Sequence, residues 1–330
     1  MLTTSEVFGD TATMDLHLDE VFRLLTEKSR GSIRRDESMA IHTTFRVGGP
    51  ADLFIVPEDE EDLQLILAVL AEYAVPLKLL GNGSNVLVAD RGIRGAVIRL
   101  TPQFAQIVRE GHTLQIGAGA KLARVVQAAL TEGLSGLEST MGIPGTIGGA
   151  LVMNAGTDSG SISDLVEMTT CLTPNGEQVV FTGDQLSYGY RQSALQGSHF
   201  IVLSTRLSLH PGDQDTIHAK MTRLEEKRTS RQPTRCHTAG STFKNPHDIA
   251  AGKLLDRAGC KGYRIGGAEV SGLHANFIIA QPGATATDIR QLALWMQQCV
   301  FEQFEYALEM EIELLGEWTG WDAFAAPEHT

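Results

Sequence analysis

An α+β fold is the class that the sequence predicts, and three observations lead to it. Short apolar segments separated by glycine turns extend from Thr44 to Leu209, a pattern typical of strands. Helical periodicity marks stretches on both sides of that region, at Asp15–Arg30 and Ala286–Phe304. At 330 residues the chain is long enough for about two domains, each with its own core.

The remaining elements follow in chain order. A helix is predicted to open near Pro57–Asp59, where acidic residues in the first turn suit the helix dipole. Strands are predicted at Ala51–Val56, Pro76–Leu80, Val86–Val88, Val97–Leu100, Phe104–Arg109, Thr113–Gly117, Leu165–Leu172, Gln178–Phe181 and Phe200–Leu209. Further helices are predicted at Lys121–Glu132, Asp213–Arg228 and Ala251–Gly259. Alternating apolar and acidic residues over Leu308–Leu314 predict a half-buried strand.

Composition narrows the class of partner. The net charge of −13 argues against nucleic acid or an anionic membrane surface, since both need clustered basic residues. No apolar run reaches transmembrane length, and the N-terminus lacks the pattern of a signal peptide. Four cysteines without CxxC spacing are typical of reduced thiols, so we expect a cytoplasmic protein.

Two glycine-rich segments carry the strongest functional signal. The first, Gly81-Asn82-Gly83-Ser84-Asn85, lies between two predicted strands and can form a nest of N–H groups, with Ser84 and Asn85 adding side-chain donors for phosphate oxygens. The second, Gly136–Gly156, holds six glycines and no basic residue, and Thr146 can cap a short helix whose N–H groups face an anion. Either segment alone is equally consistent with an ordinary tight turn. Together they favour a cofactor that contains a diphosphate.

Several common cofactor motifs are absent. The sequence contains no GxxxxGK[ST], which excludes a P-loop, and the segment Gly117–Leu122 lacks the third glycine of a Rossmann fingerprint. No HExxH motif or Cys/His cluster is present, so we predict no metal.

Separated motifs resemble a known family. Phe45-Arg46-Val47-Gly48-Gly49, the segment 81–85 and the segment 142–156 resemble the FAD-binding domain of the vanillyl-alcohol-oxidase superfamily. Within that superfamily the chain is most similar to the UDP-N-acetylenolpyruvoylglucosamine reductase family. The segments GYRIGGAEVS at 262–271 and HANF at 274–277 resemble the form without the extra loop of the substrate domain. The likeness extends over roughly residues 40–318.

The resemblance implies two α+β subdomains that clasp FAD, followed by an α+β substrate domain. On this basis we expect an N-terminal tail and helix at 1–40, an FAD-binding domain at 41–210 that divides near 105–115, a substrate domain at 211–318 and a tail at 319–330. The segment 81–85 contains no histidine, so the implied FAD is bound non-covalently. The residues implied to bind it are Gly81, Asn82, Gly83, Ser84, Asn85, Gly142, Ile143, Pro144, Gly145, Thr146, Gly148, Gly149, Asn154 and Gly156.

Three residues are implied to be catalytic. Arg191 follows Tyr188 and Tyr190 and is a cation that can grip a carboxylate, and the family's YRxS motif places it in the active site. Ser241, in a segment resembling GSxFKNP, is the implied proton donor, and Glu311 is the implied acid. Glu309 is the alternative to Glu311, because a shift of two positions keeps the same face of a strand. Substrate binding is implied for Tyr190, Arg231, Lys244 and Asn245.

The family's reaction is the reduction of UDP-N-acetyl-3-O-(1-carboxyvinyl)-glucosamine to UDP-N-acetylmuramate in peptidoglycan precursor synthesis. The resemblance implies that NADPH reduces FAD, that hydride passes from flavin N5 to C3, and that Ser241 protonates C2. A flavin-dependent oxidase of the same superfamily and a non-catalytic nucleotide-binding protein are the alternatives. The sequence leaves the oligomeric state open between a monomer and a weak homo-oligomer.

Overall fold

The computed structural model describes residues 11–100 and 102–318. Residues 1–10 of the predicted N-terminal tail and the whole predicted tail 319–330 lie outside these residues. The helices are α1 (Thr11–Lys28), α2 (Glu60–Glu72), α3 (Leu122–Thr131), α4 (Ile147–Val152), α5 (Gln214–Thr229), α6 (Ala251–Arg257) and α7 (Ala286–Phe304). The strands are β1 (Ser32–Ser38), β2 (Pro50–Val56), β3 (Leu77–Leu79), β4 (Val86–Val88), β5 (Ile93–Ile98), β6 (Ile107–Glu110), β7 (Thr113–Gly117), β8 (Leu134–Ser135), β9 (Gly156–Thr157), β10 (Gly160–Ser161), β11 (Val166–Leu172), β12 (Gln178–Thr182), β13 (Ile201–Ser208), β14 (His210–Pro211), β15 (Arg264–Ile265), β16 (Ala268–Val270), β17 (Ile278–Ala280) and β18 (Glu313–Leu315).

The predicted helices all occur, within a few residues of their predicted bounds. Local capping explains two of the starts: the side chain of Asp59 accepts a hydrogen bond from the backbone N–H of Asp62, and that of Asp213 accepts one from Thr216. The longest strand that was not predicted is β1. It is an exposed edge strand with four consecutive charged residues, so its sequence lacks the apolar alternation that marks a strand.

The first layer is a four-stranded sheet in the order β1-β2-β5-β3, with α1 and α2 contributing to its core. Strand β1 is antiparallel to β2, whereas β2, β5 and β3 are parallel. Val21 and Leu25 of α1 are fully buried in this core together with Leu53 and Ile66. Helix α1 is therefore part of the first layer, which begins before the boundary predicted at residue 41.

The second layer is a five-stranded antiparallel sheet in the order β12-β11-β13-β7-β6. Helices α3, α4 and α5 contribute buried residues to its core, among them Val125, Ile147 and Ile217. The chain passes from the first sheet to the second between Ile98 and Ile107.

The third layer combines the small antiparallel sheet β15-β16-β17 with α6 and α7. The predicted strand Leu308–Leu314 is wrong in its extent, because only Glu313–Leu315 forms a regular strand, β18. Strand β18 lies parallel to β4, and Met310 makes a single bridge to Phe243. The end of the chain thus returns to the loop that follows β3, which brings the three layers together around one cleft.

Candidate functional site

A cleft of about 950 Å³ opens where the three layers meet. This volume is at the upper end of the range for small-molecule sites. The sequence-predicted residues that line it are Gly81, Asn82, Gly83, Ser84, Asn85, Ile143, Pro144, Gly145, Thr146, Gly148, Gly149, Gly156, Arg191, Arg231, Ser241, Asn245 and Glu311. Gly142, Asn154, Tyr190 and Lys244 are not among the lining residues.

The loop 81–85 connects β3 to β4 and requires its glycines for close packing. A Cβ on Gly81 would lie 2.6 Å from Thr146 Oγ1, and one on Gly83 would lie 2.2 Å from the carbonyl oxygen of His42. Gly83 also has φ +61°, a conformation that favours glycine. Within the described part of the chain, the N–H groups of Asn82, Gly83 and Ser84 have no acceptor. These donors are available to an anionic ligand in the cleft.

The side chains of Ser84 and Asn85 differ from their predicted use as phosphate donors. Ser84 Oγ donates to the carbonyl oxygen of Pro144 at 2.6 Å, which joins the two glycine-rich loops. Asn85 Nδ2 donates to the carbonyl oxygen of Glu311 at 3.0 Å. Both donors are directed at backbone carbonyls because the two loops approach within hydrogen-bonding distance of other segments. These side chains therefore join the segments that line the cleft, and the main-chain N–H groups of the loop 81–85 remain available to a ligand.

The loop 142–149 is held by the second layer. Its Gly145 carbonyl accepts from Leu122 N at 3.0 Å, and the N–H of Ile147 donates to Ala120 at 2.9 Å. Thr146 caps α4, as predicted, by accepting from Gly149 N at 3.4 Å. Among the described atoms, a Cβ on Gly145 would meet only Ser84 Oγ within 4 Å, so a larger residue there would project into the cleft. The N–H groups of Ile147 and Gly148 donate to the carbonyl oxygens of Ala120 and Ala118, so the start of α4 does not face an anion as predicted. The loops 81–85 and 142–149 together form a main-chain cradle in the wall of the cleft.

Asn154 occupies a structural position. It has φ +45°, its Nδ2 donates to Gly189 O at 2.8 Å, and its Oδ1 accepts from Ser163 N at 3.3 Å. Both ends of its side chain are thus engaged by protein, which leaves its predicted contact with the cofactor without support from its position. It instead supports the turn Gly189–Gln192, on which Arg191 lies.

Arg191 and Glu311 form a largely buried ion pair. Arg191 Nε donates to Glu311 Oε1 at 2.5 Å, and their side chains are 22% and 12% exposed. Burial raises the pKa of Glu311 above its ordinary value, although the charges of Arg191 and Lys244 act to lower it. The Glu311 backbone N–H donates to Thr242 O at 2.9 Å. The position of Glu311 is therefore set by the serine loop as well as by Asn85.

Ser241 lies on the cleft side of a loop clamped by a buried amide that the sequence interpretation missed. Asn276, 2% exposed, accepts from Phe243 N at 2.9 Å and donates to Phe243 O at 2.8 Å. The backbone carbonyl oxygen of Asn276 also accepts from Thr242 N at 2.8 Å. Ser241 Oγ has no hydrogen-bond partner in the described part of the chain. The HANF segment held the signal, since an asparagine between apolar residues becomes buried and must satisfy its amide.

The four residues predicted to bind substrate lie in different surroundings. Lys244 forms an ion pair with the exposed Glu309. Tyr190 is 55% exposed, and its hydroxyl accepts from Asn245 N at 3.2 Å. Asn245 Oδ1 accepts from Ala251 N at 3.0 Å, at the start of α6, whereas Arg231 lines the cleft just beyond α5. Only Asn245 and Arg231 of the four therefore reach the cleft wall.

Arg191 lies near one aromatic ring and not two. Its Cζ is 5.3 Å from the centre of the Tyr190 ring, a distance at which a cation attracts a ring face. Tyr188, the second ring expected beside it, packs against the core of the second layer. Tyr188 lies before the turn Gly189–Gln192, whereas Tyr190 lies within it.

The structure also bears on the predictions about membranes, metal ions and cysteines. Among residues 11–100 and 102–318, no helix is long and apolar enough to cross a membrane. In the same residues there is no group of three His, Cys, Asp or Glu side chains able to hold a metal ion. The four cysteines are unpaired thiols.

Comparison with known proteins shows which families this chain resembles. Residues 51–182 match the model of an FAD binding domain, and residues 232–315 match that of the C-terminal domain of UDP-N-acetylenolpyruvoylglucosamine reductase. The reductase of that name from Alkaliphilus oremlandii is 40% identical over 282 residues, which cover 86% of this chain and 93% of the relative. The one from Caldanaerobacter subterraneus is 39% identical, over 92% of this chain and 99% of the relative.

A solved structure extends this likeness to three dimensions. The crystal structure of UDP-N-acetylenolpyruvylglucosamine reductase from Thermus caldophilus matches with a TM-score of 0.76 and 36% identity. The match covers 87% of this chain and 99% of the Thermus protein. The shared fold therefore includes the elements that form the cleft.

Proposed function

The chain belongs to the UDP-N-acetylenolpyruvoylglucosamine reductase family, and on that premise we propose that Arg191, Ser241 and Glu311 complete the reduction of an enolpyruvyl ether in the cleft. Membership makes the chain an FAD-dependent oxidoreductase of peptidoglycan synthesis that uses FAD and NADPH. The predicted α+β fold with an FAD-binding domain is confirmed. Reductase activity replaces the oxidase and the non-catalytic protein that the sequence left open.

The main-chain cradle is where we place the cofactor. The N–H groups of Asn82, Gly83 and Ser84, which have no acceptor in the described part of the chain, would hold the diphosphate beside the loop 142–149. A non-covalently bound FAD would supply the hydride chemistry that links NADPH to C3 of the enolpyruvyl group. The protein's own residues would then bind the substrate, stabilise the negative charge that develops on it and supply a proton.

Arg191 meets the charge that develops when C3 receives a hydride. That charge spreads from C2 into the substrate carboxylate, and a preorganised cation stabilises it best where water is largely excluded. Glu311 occupies the Nε edge of the guanidinium at 2.5 Å, which leaves the outer Nη groups for the carboxylate. Glu311 thus orients Arg191.

Ser241 is the proton donor in this proposal. A serine hydroxyl is a weak acid, but a carbanion at C2 is a strong base, and a fixed position near C2 supplies much of the rate. Ser241 lines the cleft and lies on a loop held by Asn276, so its Oγ is positioned without being consumed by a structural hydrogen bond. The observation that carries the proposal is this convergence of Arg191, Ser241 and Glu311 on one cleft from distant parts of the chain.

Stopped-flow measurement of Ser241→Ala tests the assignment. We expect flavin reduction by NADPH to stay within about twofold of wild type, while reoxidation by the enolpyruvyl sugar slows by about 100-fold or more, the usual worth of a general acid. Ser208→Ala, an exposed serine at the end of β13, is the matched control. Ser241→Cys retains a proton donor and should recover part of the lost rate. Equal slowing of both half-reactions by Ser241→Ala would remove the serine from this role.

A further inference from the structure

The segment 42–44, which connects β1 to β2 and to which no role was predicted, supports the loop 81–85. The N–H and the hydroxyl of Thr44 both donate to the carbonyl oxygen of Gly83, at 2.9 and 3.2 Å. The carbonyl oxygen of His42 lies so close to Gly83 that a side chain on Gly83 would collide with it. None of the three residues 42–44 is among those that line the cleft. The segment therefore holds the loop without forming part of the cleft wall.

The contact with Thr44 sets the direction of one peptide group. The C=O and N–H of a trans peptide point in opposite directions, so the carbonyl of Gly83 on Thr44 directs the N–H of Ser84 away from the segment 42–44. That N–H has no acceptor in the described part of the chain, and Ser84 lines the cleft. Thr44 thus orients a main-chain donor that is available to an anionic ligand.

The side chain of His42 anchors this segment to the first layer. Its side chain is 10% exposed, and its ring stacks on Phe54 of β2 with 4.0 Å between the ring centres. Its Nδ1 lies 3.2 Å from Arg99 Nη1, just after β5, and its Nε2 lies 2.9 Å from Glu37 Oε1 of β1. A guanidinium can only donate, so Nδ1 accepts from Arg99, and we assign the ring proton to Nε2, which donates to Glu37. One ring therefore joins three strands of the sheet.

Both hydrogen-bond partners depend on this ring. The hydrogen bond from His42 holds the pKa of Glu37 below its ordinary value, although burial acts to raise it. Burial lowers the pKa of Arg99, whose Nε has no hydrogen-bond partner among the described residues. Loss of the ring would leave Glu37 with Arg34, at 2.7 Å, and Arg99 without a side-chain acceptor in the described part of the chain. Partly buried polar groups that lose a partner are destabilising, so the ring holds its place.

We propose that His42 is a positioning residue for FAD, because it fixes the segment 42–44 and so keeps the main-chain donors of the loop 81–85 in a ligand-binding geometry. A binding site whose donors are ordered in advance does not lose that ordering free energy when the ligand binds. Loss of the two hydrogen bonds of His42 should therefore weaken FAD binding, although no group that contacts FAD is removed. The inference rests on the placement of the FAD diphosphate at this loop in the preceding subsection.

Two substitutions at His42 separate hydrogen bonding from packing. His42→Leu fills the space beside Phe54 but removes both hydrogen bonds, whereas the amide of His42→Gln can accept from Arg99 and donate to Glu37. FAD affinity is measured by flavin fluorescence on reconstituting apoprotein. We expect His42→Leu to bind FAD at least about tenfold more weakly than wild type, and His42→Gln to recover to within about threefold. His218→Leu, at an exposed histidine of α5, is the matched control and should bind FAD as wild type does.

A further variant decides the case in which His42→Leu does not fold. Thr44→Val removes the hydroxyl that donates to Gly83 and keeps the main-chain N–H, so it should weaken FAD binding by about fivefold, the scale of one hydrogen bond. The Tm of each apoprotein is measured in parallel, because a lower Tm by itself does not change FAD affinity while the folded state remains fully populated.

Two results would overturn the proposal. One is an FAD affinity within about twofold of wild type in His42→Leu or, if that variant does not fold, in Thr44→Val. The other is an equal loss in His42→Leu and His42→Gln, which would assign the effect to ring packing and not to the hydrogen bonds. Failure of the wild-type protein to bind FAD would instead refute the placement of the cofactor, so the two failures are distinguishable.

Discussion

Two glutamates two positions apart, Glu309 and Glu311, occupy opposite environments. Glu311 is 12% exposed and pairs with Arg191, whereas Glu309 is 72% exposed and pairs with Lys244. Each has a basic partner, so the presence of an ion pair does not distinguish them. What differs is burial. The Arg191–Glu311 pair, the inner pair, is largely shielded from water, whereas water screens the attraction between the charges of Lys244 and Glu309, the outer pair. The comparison teaches that tertiary contacts with Thr242 and Asn85 select the residue at the cleft.

The largest expected effect separates the two glutamates directly. Glu311→Gln should slow flavin reoxidation by the enolpyruvyl sugar by about 100-fold, since it removes the group that orients the charge-stabilising Arg191. Glu309→Gln, the matched change, should leave that rate within about twofold of wild type. Stopped-flow kinetics at saturating substrate provides the measurement. A similar loss of reoxidation rate in both variants would contradict the assignment of the active-site role to Glu311 and not to Glu309.

A second prediction uses the raised pKa of Glu311. A carboxyl group with a higher pKa in the folded state binds its proton more tightly there, so its contribution to stability is fully present below the unfolded pKa. That contribution is lost as the pH rises through the folded pKa. The free energy of unfolding of wild type minus that of Glu311→Gln should therefore increase as the pH is lowered from 7 toward 4.5, the ordinary value.

Denaturant titrations across this pH window test the trend. The free energy of unfolding of wild type minus that of Glu309→Gln, measured over the same pH range, controls for the loss of a glutamate near the site. A difference for Glu311→Gln that falls toward acid pH would mean that the ion pair with Arg191, and not burial, dominates the electrostatics of Glu311.

The smallest expected effect concerns the outer pair. Exposed ion pairs contribute about 0 to 1 kcal/mol, so Lys244→Gln, Glu309→Gln and the double variant should have nearly equal free energies of unfolding. A double-mutant cycle from denaturant unfolding measures the coupling. Coupling above about 2 kcal/mol would show that Lys244 and Glu309 are not screened as their exposure indicates.

The sequence predicted much of this site and left a particular part undetermined. Both glycine-rich loops were identified because glycines, a capping threonine and a proline act through local backbone geometry. The hydrogen bonds of Ser84 and Asn85 to the carbonyl oxygens of Pro144 and Glu311 were not predicted, because these partners are distant in sequence.

By itself, therefore, the sequence determined the helices, the Thr146 cap and the family, each of which depends on residues close together or on motifs that can be read directly. Only the tertiary structure decided which of two glutamates faces the cleft and which side chains join the loops. The physical reason is that burial and long-range hydrogen bonds are set by segments that meet only in the folded chain. A carboxylate or guanidinium takes its properties from those segments.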